Sequence, residues 1–213
     1  MSICEEISTS LQHGRTAQVK ELVLKALEDG IAPKQILDEG LLSGMSVIGE
    51  KFKNNQVFVP EVLIAARAMN AGAELLKPHL AEAGITTSGT IVLGTVKGDL
   101  HDIGKNLVKM MMEGKGLTVI DLGVDVAPET FVEKAIENNA QIIGCSALLT
   151  TTMGEMENVV KEAEAKGVRG KVKIMIGGAP VTQTYCDSIG ADYYTSDAAS
   201  ASDVALEICT ATA

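Results

Sequence analysis

From Thr90 onward the chain repeats one unit, a short apolar run rich in β-branched residues followed by a helical stretch. The runs are 90–96 (TIVLGTV), 117–122 (LTVIDL), 140–146 (AQIIGCS), 171–176 (KVKIMI) and a weaker 192–195 (DYYT). Helical stretches separate or follow them at 103–114, 128–138, 153–166, 181–188 and 199–209. Strands that are nearly continuous in apolar residues must be covered on both faces, and strands joined by helices run parallel. The spacing therefore predicts an α/β fold, a five-stranded doubly wound parallel sheet of the flavodoxin-like kind. In such a sheet a ligand binds beyond the carboxyl ends of the strands, at the point where strand order reverses. The loops after the first, third and fourth strands are the places to look for chemistry.

Before residue 88 the periodicity is helical only. Val19, Leu22, Val23, Ala26 and Leu27 form an i, i+3, i+4, i+7, i+8 stripe, stopped by Gly30. Pro33 opens a further helix with Leu37, Leu41, Met45, Ile48 and Phe52 at steps of three and four, and Asn54-Asn55 breaks it. Pro60 starts a fourth helix whose inner face reads Leu63, Ala66, Met69, Ala73 and Leu76. Short connections argue a four-helix bundle. The expected division is a helical domain at 1–88 and an α/β domain at 89–213, joined by a linker at 84–89 (GITTSG).

Composition narrows the partners. Eighteen basic against 28 acidic residues give a net charge of −10, which repels a phosphate backbone and argues against nucleic acid. No run approaches the roughly 18 apolar residues of a membrane span, and the opening MSICEEISTS lacks the basic and apolar regions of a signal peptide. Cys4, Cys145, Cys186 and Cys209 form no C-x-x-C pair, in keeping with a reducing, cytoplasmic setting.

The loop after the first strand reads Lys97-Gly98-Asp99-Leu100-His101-Asp102-Ile103-Gly104-Lys105. It is not a phosphate loop: five residues separate its glycines where that motif has four, and Asn106 stands where Ser or Thr would hold magnesium. Asp99, two residues before His101, is placed to accept a ring N–H, fixing the tautomer and strengthening the other ring nitrogen as a metal donor. Gly104 would let something bulky approach the start of the next helix. One imidazole cannot hold a bare zinc, but a metal already held in a macrocycle needs only an axial ligand. A tetrapyrrole and a corrinoid both satisfy that, and the loop alone does not separate them.

Three elements together carry a resemblance. Asp99-Leu100-His101-Asp102-Ile103-Gly104 matches the D-x-H-x-x-G signature of cobalamin-binding domains. Ser146-Ala147-Leu148, an S-x-L, follows Gly104 after residues 105–145, and Gly177-Gly178 follows Leu148 after residues 149–176. Each stands at the end of an expected strand. Phe52-Lys53 through Phe58-Val59-Pro60-Glu61-Val62, running into Ala65-Ala66-Arg67-Ala68-Met69, resembles the helical cap that precedes the cobalamin domain of methionine synthase. The chain thus resembles the corrinoid methyl-carrier proteins of three-component methyltransferase systems over about residues 10–205.

That resemblance implies a cobalamin or related corrinoid whose cobalt takes His101 as lower axial ligand, displacing the dimethylbenzimidazole. It implies a His101–Asp99–Ser146 relay. The displaced nucleotide would thread past Gly104, Ser146, Leu148, Gly177 and Gly178, with Thr150 lining the same slot, and Gly98, Asp99, Leu100, Asp102 and Ile103 would complete the cofactor-binding residues. Phe52 and Val59 would cover the methyl group, Val59 standing where methionine synthase has leucine. The implied partners are a substrate-specific methyltransferase, a second methyltransferase using a folate or thiol, and a reductive activator, in anaerobic one-carbon metabolism. The chain by itself would be a carrier, not a catalyst. A cobalamin-dependent sensor uses a similar module but adds a DNA-binding or signalling domain, and a mutase subunit lacks the helical cap.

Overall fold

The computed structural model describes residues 2–84 and 88–211, so Ile85, Thr86 and Thr87 of the expected linker lie outside the described residues. The chain divides into a helical unit and an α/β unit that opens at Ser88.

The helical unit comprises α1 (Ile3–Gln12), α2 (Thr16–Glu28), α3 (Pro33–Gln35), α4 (Ser43–Lys53) and α5 (Val59–Glu82). Ser2 starts α1 with a capping box: its hydroxyl accepts the Glu5 N–H while the Glu5 carboxylate accepts the Ser2 N–H. The helix expected from Pro33 is continuous in direction, but residues Ile36–Leu42 widen into a π-helical segment between α3 and α4. The wider turn buries Ile36, Gly40 and Leu41 together, and leaves Leu37 only half-buried. In α5 the buried face is Val62, Ala65, Ala66, Ala68, Met69, Gly72 and Leu76. Leu63, expected inside, is 37% exposed, because the helix starts at Val59 and its small residues set the seam.

The α/β unit is a five-stranded, all-parallel sheet in the order β2-β1-β3-β4-β5. Its strands are β1 (Thr90–Val96), β2 (Thr118–Val126), β3 (Ile142–Ser146), β4 (Lys173–Gly177) and β5 (Tyr193–Tyr194). The helices are α6 (Ile103–Glu113), α7 (Pro128–Glu137), α8 (Gly154–Ala165), α9 (Gln183–Ile189) and α10 (Ala198–Ala211). Alternation along each strand builds two cores. Val92, Ile143, Cys145, Ile174 and Ile176 pack with Phe131 of α7 and Met156 and Val159 of α8 on one face. Ile91, Leu93, Ile142 and Met175 pack with Met112 of α6 and Ala201, Ala205 and Ile208 of α10 on the other.

The edge strand β2 departs most from expectation. β2 runs on to Val126, past the expected end at residue 122, because register shifts opposite Gly94 let it keep pairing with β1. It is an edge strand and only Val126 is fully buried, so its sequence is less apolar there. The order reverses between β1 and β3, and the loops leaving those strands share one end of the sheet.

Candidate functional site

Asp99 is the anchor of the loop after β1. It is 0% exposed, and five donors converge on its carboxylate. Oδ1 accepts the His101 N–H at 3.1 Å and faces the ring Nδ1 at 2.7 Å. Oδ2 accepts N–H groups from Leu148 at 2.8 Å and Leu149 at 3.2 Å, and the Thr152 hydroxyl at 2.9 Å. Burial by itself would raise the Asp99 carboxyl; the hydrogen bonds from His101, Leu148 and Thr152 outweigh it and hold the group well below the usual carboxylate range. An ionised carboxylate only accepts, so the proton between the two groups sits on Nδ1, and in the neutral ring the lone pair is on Nε2. The imidazole is half-exposed, at 51% of its side chain. The Thr95 hydroxyl fixes the loop from below by donating to the His101 carbonyl at 2.8 Å.

A cavity of about 470 Å³ opens beside this loop, within the size range of small-molecule sites. Its mouth is formed by His101 to Lys105, Ser146 to Leu148, Gly177 to Ala179 and Thr195 to Ala198. A Cβ on Gly104 would meet nothing within 4 Å, so the glycine leaves the wall there open. Gly178 is a different case: at φ +141°, a Cβ would sit 1.8 Å from the Ala147 carbonyl oxygen, so no side chain fits. Gly177 meets only the Thr195 carbonyl oxygen, at 3.8 Å. Small residues thus line a slot that a large flat group can enter.

Several expected residues fall elsewhere. Ser146 lines the cavity, but the hydroxyl on Asp99 belongs to Thr152. The cause is local: at the end of β3, Ser146 faces the cavity, while a turn with Thr152 N–H on the Leu149 carbonyl brings Thr152 over Asp99. Thr150 is exposed on that turn and does not line the slot. Gly98, at φ +80°, forms a tight turn and donates its N–H to Asp125 Oδ1 at 2.7 Å, away from the cavity wall. Leu100 is also outside the lining, its side chain 71% exposed beside the equally outward Ile103 at 78%. Asp102, Ile103, Gly104, Leu148, Gly177 and Gly178 are all in the lining. Phe52, in α4, and Val59, at the first turn of α5, belong to the helical unit and are half-buried there.

Two features had no warning in the sequence. Thr152 is the last of three consecutive threonines, and only the turn geometry decides which hydroxyl reaches Asp99. Lys105 is 3% exposed and pairs with Asp121 of β2, which also receives Lys109 at 3.3 Å, tying the first turn of α6 to the sheet edge. Among the described residues no group of three or more His, Cys, Asp or Glu side chains is placed to hold a metal ion. His101 therefore offers one nitrogen to a metal, the number a macrocycle-held metal requires.

Comparison with known proteins gives the family. Residues 89–203 match a B12 binding domain, and residues 3–77 match a second B12 binding domain model. The trimethylamine corrinoid protein 1 of Methanosarcina mazei is 46% identical over 190 residues, covering 88% of this chain and 87% of that one. The dimethylamine corrinoid protein 1 of Methanosarcina acetivorans is 43% identical over 208 residues, covering 96% and 98%. Among solved structures, the methanol:cobalamin methyltransferase complex MtaBC from Methanosarcina barkeri matches with a TM-score of 0.89 at 30% identity, covering 97% of this chain and 79% of that one. No helix among the described residues is long and apolar enough to cross a membrane. The chain belongs to the B12-binding corrinoid proteins of methyltransferase systems, and its cofactor is a corrinoid.

Proposed function

We propose that this protein carries a methyl group on the cobalt of its corrinoid from a substrate-specific methyltransferase to a second methyltransferase that uses a folate or thiol acceptor. The observation that carries the reading is the imidazole of His101 held through Nδ1 by a buried, ionised Asp99 at the mouth of an open slot. Nε2 would then be the single protein donor to cobalt, in place of the corrinoid's own dimethylbenzimidazole. The slot lined by Gly104, Ser146, Leu148 and Gly177 would receive the displaced nucleotide. When bound, the corrinoid supplies a metal centre that accepts and gives up a methyl group.

The chain's own residues have narrower tasks. Asp99 sets the tautomer and aim of the ring, and Thr152, Leu148 and Leu149 hold Asp99 in place. Phe52 and Val59 would cover the methyl group, as the resemblance implies. A reductive activator completes the set of partners, in the cytoplasm. Similar proteins are named for trimethylamine, dimethylamine and methanol; in the proposed reading the choice of methyl donor rests with the substrate-specific partner.

The test is a visible and electron paramagnetic resonance spectrum of the protein loaded with hydroxocobalamin, wild type beside His101→Ala. Superhyperfine coupling from a histidine nitrogen in the reduced wild type, lost in the variant, is the expected result. A base-on spectrum in the wild type, or coupling that survives in His101→Ala, refutes the ligation.

A further inference from the structure

The slot beside His101 changes character with depth, and strand register sets the change. Thr95, Ser146 and Gly177 lie side by side near the carboxyl ends of β1, β3 and β4. Two residues earlier on the same face, Leu93, Gly144 and Met175 form the next rank, about 6.6 Å deeper at ~3.3 Å per residue. Helix α6 runs the same way from its start at the mouth: Gly104 is followed by Val108 and Met112, each about one turn further in. On α10 Ala198 is followed by Ala201.

The mouth is polar, with Ser146, Ser196 and Asp197 in the lining. The inner end is formed by Leu93, Val108, Met112, Gly144, Met175 and Ala201, without a polar side-chain atom among them. Among the described residues no buried side-chain nitrogen or oxygen lacks a partner, so no unmet donor or acceptor waits there. Backbone groups of the inner rank are paired in the sheet ladders.

We propose that this inner end selects the lower base of the corrinoid, admitting a benzimidazole and discriminating against a purine such as adenine. The proposal rests on the reading that the displaced nucleotide enters this slot. A benzimidazole freed from cobalt carries one bare ring nitrogen and otherwise C–H or methyl edges. Adenine adds two ring nitrogens and an exocyclic amine, and each gives up hydrogen bonds to water that the inner end does not replace. Met112 and Met175 add a positive preference, since thioethers pack well against aromatic edges. Gly144 matters for shape. Its missing side chain leaves a flat floor between Leu93 and Met175, and a Cβ there would stand 2.8 Å from Leu93 Cδ1.

The experiment is a spectroscopic titration of the apo-protein with three corrinoids: cobalamin, its adenine-based analogue, and cobinamide, which has no base. Both complete corrinoids are expected to bind base-off, cobalamin at least about tenfold more tightly, a difference of ~1.4 kcal/mol. The adenine analogue should gain little over cobinamide. Equal affinity of the two base-off complexes overturns the selection and leaves His101 ligation standing. Base-on complexes overturn the displaced-nucleotide reading and the selection with it. Ala201→Met, which fills the inner end, should lower cobalamin affinity about tenfold and leave cobinamide binding unchanged. An Ala201→Met protein with native circular dichroism and undiminished cobalamin affinity refutes the placement of the base, and the wild-type titrations stand without any variant.

Discussion

Thr152→Val removes one hydroxyl while keeping the side chain's shape, and it decides which residue holds Asp99. In the wild type that hydroxyl lies 2.9 Å from Asp99 Oδ2, beside the N–H groups of Leu148 and Leu149. The carboxylate is fully buried, so water does not take the vacated position. A hydrogen bond to a charged group contributes about 1.5–3 kcal/mol, and because Oδ2 keeps two of its three donors, the expected loss is ~2 kcal/mol. With a urea slope of about 2 kcal/mol per molar, the unfolding midpoint of the α/β unit should fall by about 1 M. Thr152→Ser retains the donor and should recover most of the loss. Ser146→Ala should move the midpoint by less than about 0.3 M, since its side chain is turned to the cavity. The effect also has a pH signature. The folded-state pKa of Asp99 is depressed, so its stabilisation is complete above the ordinary carboxylate value of about 3.9 and is lost as pH falls through the folded value. The deficit of Thr152→Val is therefore full at neutral pH and shrinks only in strong acid, where the carboxyl is protonated. A Ser146→Ala deficit equal to that of Thr152→Val refutes the assignment, as does a Thr152→Val midpoint equal to the wild type's.

The slot's two glycine edges should respond in opposite ways. Gly178→Ala forces a Cβ onto the Ala147 carbonyl and should cost about 3 kcal/mol or more in thermal or urea unfolding. Gly104→Ala enters open space on a helix and should leave apo-protein stability within about 1 kcal/mol, while corrinoid affinity measured by titration falls. Asp121→Asn leaves the buried Lys105 ammonium without its carboxylate and should destabilise the α/β unit by about 3 kcal/mol at pH 7 in urea unfolding. The Asp121 carboxyl is pushed up by burial but pulled further down by Lys105, so the wild-type advantage over Asp121→Asn should diminish as pH drops through the acid range. Cys145 is buried and its thiol is pushed up to about 12, so it should resist a thiol reagent at pH 8 until the α/β unit unfolds; rapid labelling of the native protein contradicts its placement.

The sheet was legible because its strands are apolar on both faces. TIVLGTV reads as a buried strand from composition alone, and β1 has the expected bounds. The same reasoning stopped β2 too early, since an edge strand alternates less clearly and its continuation depends on a register shift in its neighbour. In the helical unit the periodicity located the helices, but the seam of α5 is set by Ala65, Ala66, Ala68 and Gly72, whose smallness carries little weight in a hydrophobic stripe. Likewise the π-helical turn at Ile36–Leu42 does not announce itself, because a one-residue widening preserves spacings of four and five. At the site, Asp99 and His101 were readable as a pair because they are two residues apart in one loop. Thr152 and Lys105 act across the fold, on Asp99 from another loop and on Asp121 from another element, and such partners depend on tertiary approach that no local pattern encodes.

That long-range contact has a consequence for the site itself. Asp99 belongs to the loop after β1, yet three of the five donors on its carboxylate, Leu148, Leu149 and Thr152, come from the loop after β3. Oδ1 faces the imidazole and Oδ2 faces the β3 loop, so one rigid group joins the two loops across the switch point of the sheet. The aim of the His101 ring therefore depends on both loops being in place. The division of exposure follows: the orienting carboxylate is fully buried, whereas the ring it orients is half-exposed. A ring proposed to ligate a metal must be reachable from outside the sheet, and a long exposed loop alone would let it wander. Sequestering the carboxylate in the floor and leaving only the imidazole outside reconciles the two demands, because the donors that immobilise Asp99 are themselves backbone groups and a hydroxyl held by a turn.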